Sequence, residues 1–127
     1  MMQIFLIIAL AFLIYAHQSL GMTSLEDTAW EVRVGVAPFF PFAKKDMLSF
    51  GRGRFASARS LADGFVPAGY GAAGSAGSWR AEQKGDDGTV REWRGTVRGN
   101  RIRGTVTVVR ADGVVKTYKF RGRRRGV

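Results

Sequence analysis

The sequence predicts an all-β protein, a small antiparallel up-and-down barrel of about eight strands. Apolar and polar residues alternate along several short runs, a period of two that is typical of strands with one buried face. Gly99 and Asn100, and then Asp112 and Gly113, separate the last three runs, and both dipeptides favour two-residue hairpin turns. After the N-terminus no stretch has the period of a long helix. A sheet of this size hides its edges most simply by closing on itself.

The composition indicates one globular domain without covalent cross-links. A chain of 127 residues, 46% of them hydrophobic, is long enough to bury its own core. Cysteine is absent, which excludes disulfides, thiolate metal sites and cysteine nucleophiles. The 17 glycines follow no fixed period and there are only 3 prolines, so we expect many tight turns and no collagen-like repeat.

The N-terminus carries an apolar run, IFLIIALAFLIYA, over residues 4–16. This run is too short for a membrane span and has the length of a signal-peptide core. Small residues allow cleavage before Met22 or before His17, and because no Lys or Arg precedes the run, an uncleaved anchor is the alternative. We expect a signal peptide at 1–21, a barrel at 22–122 and a basic tail at 123–127. The protein is then periplasmic or secreted, with no membrane span once the leader is cut.

The first predicted strand covers residues 28–36, and its inward face holds Trp30, Val32, Val34 and Val36. Residues 37–42, APFFPF, interrupt the alternation because their two prolines cannot donate ladder hydrogen bonds. The three phenylalanines of this segment either cover one mouth of the fold or form an exposed aromatic lip for a ligand.

Shorter elements follow between residues 44 and 83. A second strand at 44–50 directs Leu48 and Phe50 inward, and a short third strand occupies 54–57. Residues 57–64 predict one helical turn, capped by Ser57 and stopped by Gly64. Residues 65–70 predict a fourth strand, 71–77 a flexible linker or a strand of small residues, and 78–83 a fifth strand.

The last three strands form a predicted meander over residues 89–122. Alternation places the arginines of the meander outward, and Arg123 to Arg125 leave the sheet as a tail. The residues on its inward face are Trp93, Val97, Ile102, Gly104, Val106, Val108, Tyr118 and Phe120.

The net charge of +10 is confined to the C-terminal third of the chain. From residue 89 onward there are 12 Lys and Arg against Glu92 and Asp112, whereas residues 22–88 carry 8 basic and 8 acidic side chains. Such asymmetry favours anionic partners, although an arginine-rich strand face also simply keeps a protein soluble. In an exported protein, anionic lipid or polysaccharide of the cell envelope is the expected partner rather than nucleic acid. The candidate anion-binding side chains are Arg101, Arg103, Arg121, Arg123, Arg124 and Arg125.

The interior of an eight-stranded barrel is either filled by side chains or holds one small ligand. The inward aromatic residues are compatible with both, because aromatics at such positions fill space unless room is left over. We expect a small apolar ligand to contact these residues: Trp30, Phe50, Trp79, Trp93 and Tyr118.

Candidate catalytic and metal-binding residues are scarce. The only histidine, His17, lies in or beside the leader, so the usual nucleophile–base pairs and imidazole metal sites are missing from the mature chain. Glu82 and Glu92 are a candidate carboxylate pair, but both fall at outward positions where solvated ion pairs are expected. Asp86, Asp87 and Gly88 lack the ligand spacing of a calcium loop. The sequence therefore predicts no enzyme, no metal site and no cofactor.

The order of these features resembles small secreted bacterial calycin-like, or lipocalin-type, β-barrel proteins. The resemblance covers residues 28–122, but Trp30 follows Thr28 and Ala29 and so lacks the lipocalin G-x-W signature. It implies a barrel with room for an apolar cavity and no catalytic centre. The motifs that carry it are TAWEV at 28–32, DMLSF at 46–50 followed by GRGRF, GF at 64–65, WRAE at 79–82 and WRGTVRGNRIRGTV at 93–106.

Overall fold

The computed structural model describes residues 25–36, 43–74 and 76–126. Consecutive strands are antiparallel neighbours throughout, and the last strand pairs with the first to close the barrel. The predicted fold class, an eight-stranded up-and-down barrel, is confirmed. The predicted leader and the aromatic segment at 37–42 lie outside the described residues. The elements are β1 Thr28–Gly35, β2 Lys44–Gly51, β3 Arg54–Ser57, helix α1 Ala58–Ala62, β4 Ala68–Ala72, β5 Ser78–Lys84, β6 Val90–Arg98, β7 Arg101–Val109 and β8 Val115–Arg124.

The two predicted hairpin turns of the meander differ. Between β6 and β7, Arg98 pairs with Arg101 and Gly99 has a φ of 56°, so the two-residue turn is confirmed. Between β7 and β8 the prediction of a two-residue turn is wrong. The Arg110 N–H donates to the Val114 carbonyl at 2.9 Å, and Gly113 takes the left-handed conformation with a φ of 88°. This is a three-residue loop with glycine at its last position, which keeps the flanking strands in register.

The predicted helical turn is confirmed as α1. Ser57 caps its N-terminus by accepting a hydrogen bond from the Ser60 N–H at 3.1 Å. Gly64, with a φ of 92°, ends it, and the Phe65 N–H reaches back to the Ser60 carbonyl at 2.9 Å. Because Phe65 completes this cap and Pro67 has no N–H to give to a ladder, β4 begins at Ala68 and not at residue 65.

Two other segments have different ends in the structure from those predicted, and the pairing of the strands explains why. Gly71, expected either in a flexible linker or in a strand of small residues, lies in β4 opposite Arg80 of β5. Arg123 and Arg124, expected in a tail, lie in β8, where Arg123 stands between Arg101 and Glu31. Both segments gain ladder partners from neighbouring strands, which local sequence does not reveal.

The core is a continuous cluster of aromatic rings across the barrel. The ring centroids of Phe50 and Trp79 lie 4.9 Å apart, those of Phe55 and Trp93 5.0 Å apart, and those of Trp93 and Phe120 5.5 Å apart. All three pairs are tilted or edge-to-face, the arrangements that the ring quadrupole favours. The predicted inward direction of the tryptophans is confirmed, since each is at most 3% exposed.

Glycines at inward positions make room for these rings. A Cβ atom at Gly95 would lie 2.6 Å from the Trp79 indole. At Gly104 it would overlap the Arg94 carbonyl oxygen and come within 2.7 Å of the Phe120 ring. A Cβ atom at Gly122 would likewise overlap the β1 backbone, at the Glu31 carbonyl oxygen. The strands therefore approach each other and the rings more closely than any residue with a side chain allows.

One end of the barrel is closed by the residues that precede β1. Leu25 is 1% exposed within the core cluster, and its carbonyl accepts hydrogen bonds from the backbone and side chain of Thr28. The side chain of the next residue, Glu26, accepts a hydrogen bond from the Tyr70 hydroxyl and another from the Gly53 N–H at 2.9 Å. These two bonds lower the pKa of the Glu26 carboxyl, the Tyr70 hydroxyl having the larger effect. Burial, and then this carboxylate, raise the pKa of Tyr70.

We expect Gly104→Ala to destabilise the barrel by about 3 kcal/mol or more, because its Cβ atom meets immobile backbone as well as a ring. Urea unfolding of the purified protein measures this loss. Gly69→Ala is the matched control, since no atom lies within 4 Å of a Cβ placed there. An equal loss of stability in both variants would contradict the steric account.

We expect Tyr70→Phe to weaken the dependence of stability on acid pH. The folded-state pKa of Glu26 is lowered from its ordinary value of 4.5, so its contribution is present above that value and is lost as pH falls through the folded-state pKa. Without the hydroxyl, less stability is lost between neutral and acidic pH in urea unfolding. Tyr118→Phe, whose hydroxyl lies at the other end of the barrel, should retain the acid dependence of the parent protein.

Candidate functional site

A cleft of about 470 Å³ opens at the end of the barrel opposite Leu25. Its apolar wall comes from β1, β7 and β8, where Val34, Val108 and Tyr118 are only half-buried although their positions face inward. Val106 and Trp93 lie deeper and are each 3% exposed. Among the described residues, the aromatic cluster fills the closed half of the barrel, and these side chains line the cleft in the other half.

A buried carboxylate lies on β2, next to the β1 part of the apolar wall. Asp46 of β2 is 8% exposed and accepts three hydrogen bonds, from the Ser57 hydroxyl at 2.5 Å, the Met47 N–H at 2.8 Å and the Arg59 N–H at 3.0 Å. These donors satisfy the carboxylate without a cation, which allows it to remain at an inward position. Through Ser57, Asp46 also fixes the start of helix α1.

A guanidinium group borders the cleft beside α1. Arg91 donates to the Ser60 hydroxyl at 2.8 Å and to the Asp63 carboxylate at 2.9 Å. The guanidinium carbon lies 4.1 Å from the centre of the Phe65 ring, a cation–π distance. These contacts hold Arg91 in one orientation, and its buried Nε has no hydrogen-bond partner. The cleft thus combines an apolar wall with a few fixed polar groups.

Only two of the five predicted ligand-contacting residues line the cleft. Trp93 lies there with its indole N–H donating to Gln83 Oε1 at 2.9 Å, and Tyr118 lies beside it. Trp30, Phe50 and Trp79 are instead packed in the closed half, at most 2% exposed. The structure therefore separates the predicted set into a packed core and a cleft wall.

Sequence reasoning missed the polar side of the cleft. Asp46 is two residues before Leu48, and Arg91 is two residues before Trp93. The same alternation that placed Leu48 and Trp93 inward also assigns both charged residues to the inward face. Extending that alternation to the strand ends would have found them.

A second candidate site is a cationic face on the outside of the barrel wall. Two rows of outward side chains cross β6, β7, β8, β1 and β2. In one row Arg103, Arg121, Arg33 and Lys45 stand opposite one another on successive strands. In the next row the residues that stand opposite one another are Arg98, Arg101 and Arg123, and this run of cations ends at Glu31. All of these cations are exposed. The cationic face consists of Arg33, Lys45, Arg98, Arg101, Arg103, Arg121 and Arg123.

Four of the six predicted anion-binding arginines lie together on this face, and two do not. Arg124 lies on the other face of β8, where it pairs with the inward Trp30. Arg125 lies 4.0 Å from the Glu31 carboxylate as an exposed ion pair, a contact worth little in water. Arg33 and Lys45, which the sequence did not suggest, join the face because β8 pairs with β1.

The remaining candidates for chemistry are dispersed. Glu82 and Glu92 stand opposite each other on β5 and β6, both exposed on the outer surface as predicted. Within residues 25–36, 43–74 and 76–126, no three acidic, histidine or cysteine side chains come together as a metal site. In the same ranges no helix has the length and apolar character needed to cross a membrane.

Comparison with known proteins gave no relative. Neither the family models, nor the curated proteins, nor the solved structures include a significant match to this chain.

We expect Arg103→Thr to stabilise the protein by about 0.5–1 kcal/mol at low ionic strength, because like charges directly opposite on neighbouring strands repel. The gain should shrink as salt is added, since salt screens exposed charges. Thermal unfolding over a salt series measures both effects. Arg54→Thr is the control, because Arg54 pairs with Gly51 and Gly69. A gain for Arg103→Thr that is independent of salt would argue against repulsion.

Proposed function

We propose that this protein is an exported, non-enzymatic binding protein of the calycin type that takes a small apolar molecule into the cleft at its open end. The observation that carries the proposal is the cleft of about 470 Å³ that the described residues form beside Val34, Val108 and Tyr118. These side chains face inward yet are only half-buried. A ligand that covers them removes apolar surface from water, at roughly 25 cal/mol per Å².

The chemistry of the cleft favours a ligand with an apolar body and one polar end. Small-molecule sites are typically 300–1,000 Å³ or so, mainly apolar, with a few placed polar groups. The valines and Tyr118 provide the apolar wall, and the Arg91 and Ser60 side provides hydrogen-bonding groups that are already held in position. Trp93, fixed by its bond to Gln83, forms the floor.

Three features support the rest of the proposal. The calycin assignment is supported by the closed barrel of eight antiparallel strands in sequential order, which fits the resemblance over residues 28–122. Export is supported by the apolar run at 4–16. A non-enzymatic role is supported by a sequence that has no cysteine and no histidine after His17.

We expect an uncharged naphthylamine dye to bind saturably, with fluorescence enhancement, and a fatty acid to displace it. Val108→Trp should weaken dye binding about tenfold or more, because the indole fills the cleft that the ligand needs. An uncharged dye is chosen so that the cationic face does not contribute. Fluorescence titration measures the dissociation constant of each variant.

The matched control is Thr107→Trp, at the neighbouring outward position of the same strand. It should bind the dye as the parent protein does. Unsaturable dye binding in the parent, or equal binding by both tryptophan variants, would remove the cleft as a ligand site.

A further inference from the structure

The cationic face is assembled across the closure of the barrel. Arg33 comes from the first strand, and Arg103 and Arg121 come from the last two, yet the three stand opposite one another in a single row. Within the two rows, seven cations accompany one carboxylate, Glu31. Like charges at opposite positions destabilise a sheet, so an anionic partner bound over the two rows would relieve this repulsion.

The strand spacing brings the cations of the central strands close to one plane. Neighbouring strands lie about 4.8 Å apart, and alternate residues along a strand about 7 Å apart. In an eight-stranded barrel each strand is turned by roughly 45° about the axis from its neighbour. Over the three strands β7, β8 and β1 the wall falls away by less than the length of an Arg side chain. The guanidinium groups that reach one plane with β8 at its centre are therefore Arg33, Arg101, Arg103, Arg121 and Arg123.

The side chains of the face favour phosphate groups. Six of its seven cations are arginines, whose planar guanidinium donates two parallel hydrogen bonds to a phosphate. The other outward residues in the two rows are Thr96, Met47 and Glu31, so the rows contain no aromatic ring. Single-stranded nucleic acid is bound mainly by aromatic stacking together with charge. The strands of this wall also present no helix or ribbon to enter a duplex groove.

The exposed large apolar side chains lie away from the face. Among the described residues, the exposed large hydrophobics are Val36, Leu61, Val66, Val114 and Val115, which lie in or beside the segments at the open end. The cationic face can therefore adsorb to a charged surface but has no apolar anchor to insert into it. Such binding is reversible and sensitive to salt.

We propose that the cationic face docks the protein peripherally on a bilayer of anionic phospholipid. Because the face lies on the wall of the barrel, the barrel rests on its side and the cleft opens along the membrane surface. An apolar molecule leaving the bilayer would then meet the cleft at the level of the headgroups. The docking surface is independent of the cleft, so either proposal can fail without the other.

The test compares binding of the full-length protein to vesicles of phosphatidylcholine with and without phosphatidylglycerol, by co-sedimentation. Any contribution of the apolar run at 4–16 is the same for both kinds of vesicle. The ratio of the two binding constants, the anionic ratio, therefore isolates the contribution of the anionic lipid. We expect Arg33→Gln with Arg103→Gln to lower that ratio about 25-fold, roughly fivefold for each cation near an anionic surface. Added salt should lower the ratio of the parent protein in the same way.

The matched control is Arg54→Gln with Arg80→Gln, two exposed arginines on β3 and β5 with the same change in net charge. It should keep the anionic ratio within about twofold of the parent, since these side chains lie outside the docking plane. Equal losses in both double variants would show that net charge alone drives binding and would overturn the proposal. A loss confined to binding of a DNA oligonucleotide, with vesicle binding unchanged, would assign the face to nucleic acid instead.

Discussion

The packing of aromatic rings directly against glycine backbone determines the shape of this barrel. Trp79 lies on Gly95, and Phe120 lies on Gly104, at distances that exclude even a methyl group. A ring needs a large volume, and the inward glycines provide it by letting strands and rings approach closely. The closed half is consequently filled by a few large residues. Among the described residues, valines and a tyrosine line the other half of the barrel and form the apolar wall of the cleft.

The open end depends on an interruption of the sheet. Strand β3 has only four residues, and the chain then leaves the wall as helix α1. The bonds that start this helix come from Ser57 and the buried Asp46, and its C-terminal cap brings Phe65 beneath Arg91. The buried carboxylate on β2 and the guanidinium on β6 therefore both anchor this short helix beside the apolar wall. The hydrogen bonds that set the ends of the helix also hold the polar groups of the cleft in position.

Much of the fold could be predicted from the sequence because strand alternation and turn residues are local signals. The inward tryptophans, the Ser57 cap and the turn at Gly99 all follow from such patterns. The loop before β8 was misjudged because a glycine with positive φ serves both two-residue and three-residue hairpins. The cleft was only half predicted, because alternation says which face a residue occupies but not which half of the barrel is filled. Neither could alternation reveal that Arg33 stands beside Arg121, since that neighbourhood depends on closure between the two ends of the chain.

Closure between β1 and β8 joins the earliest and the latest strand, about as large a separation in sequence as this fold contains. Contacts of that kind form slowly, because a long loop has to be ordered before they are gained. The positively charged surface across this seam is therefore a property of the finished barrel. A nascent or partly unfolded chain carries the same arginines but holds them on separate, unaligned segments, so the aligned array distinguishes completed molecules from incomplete ones.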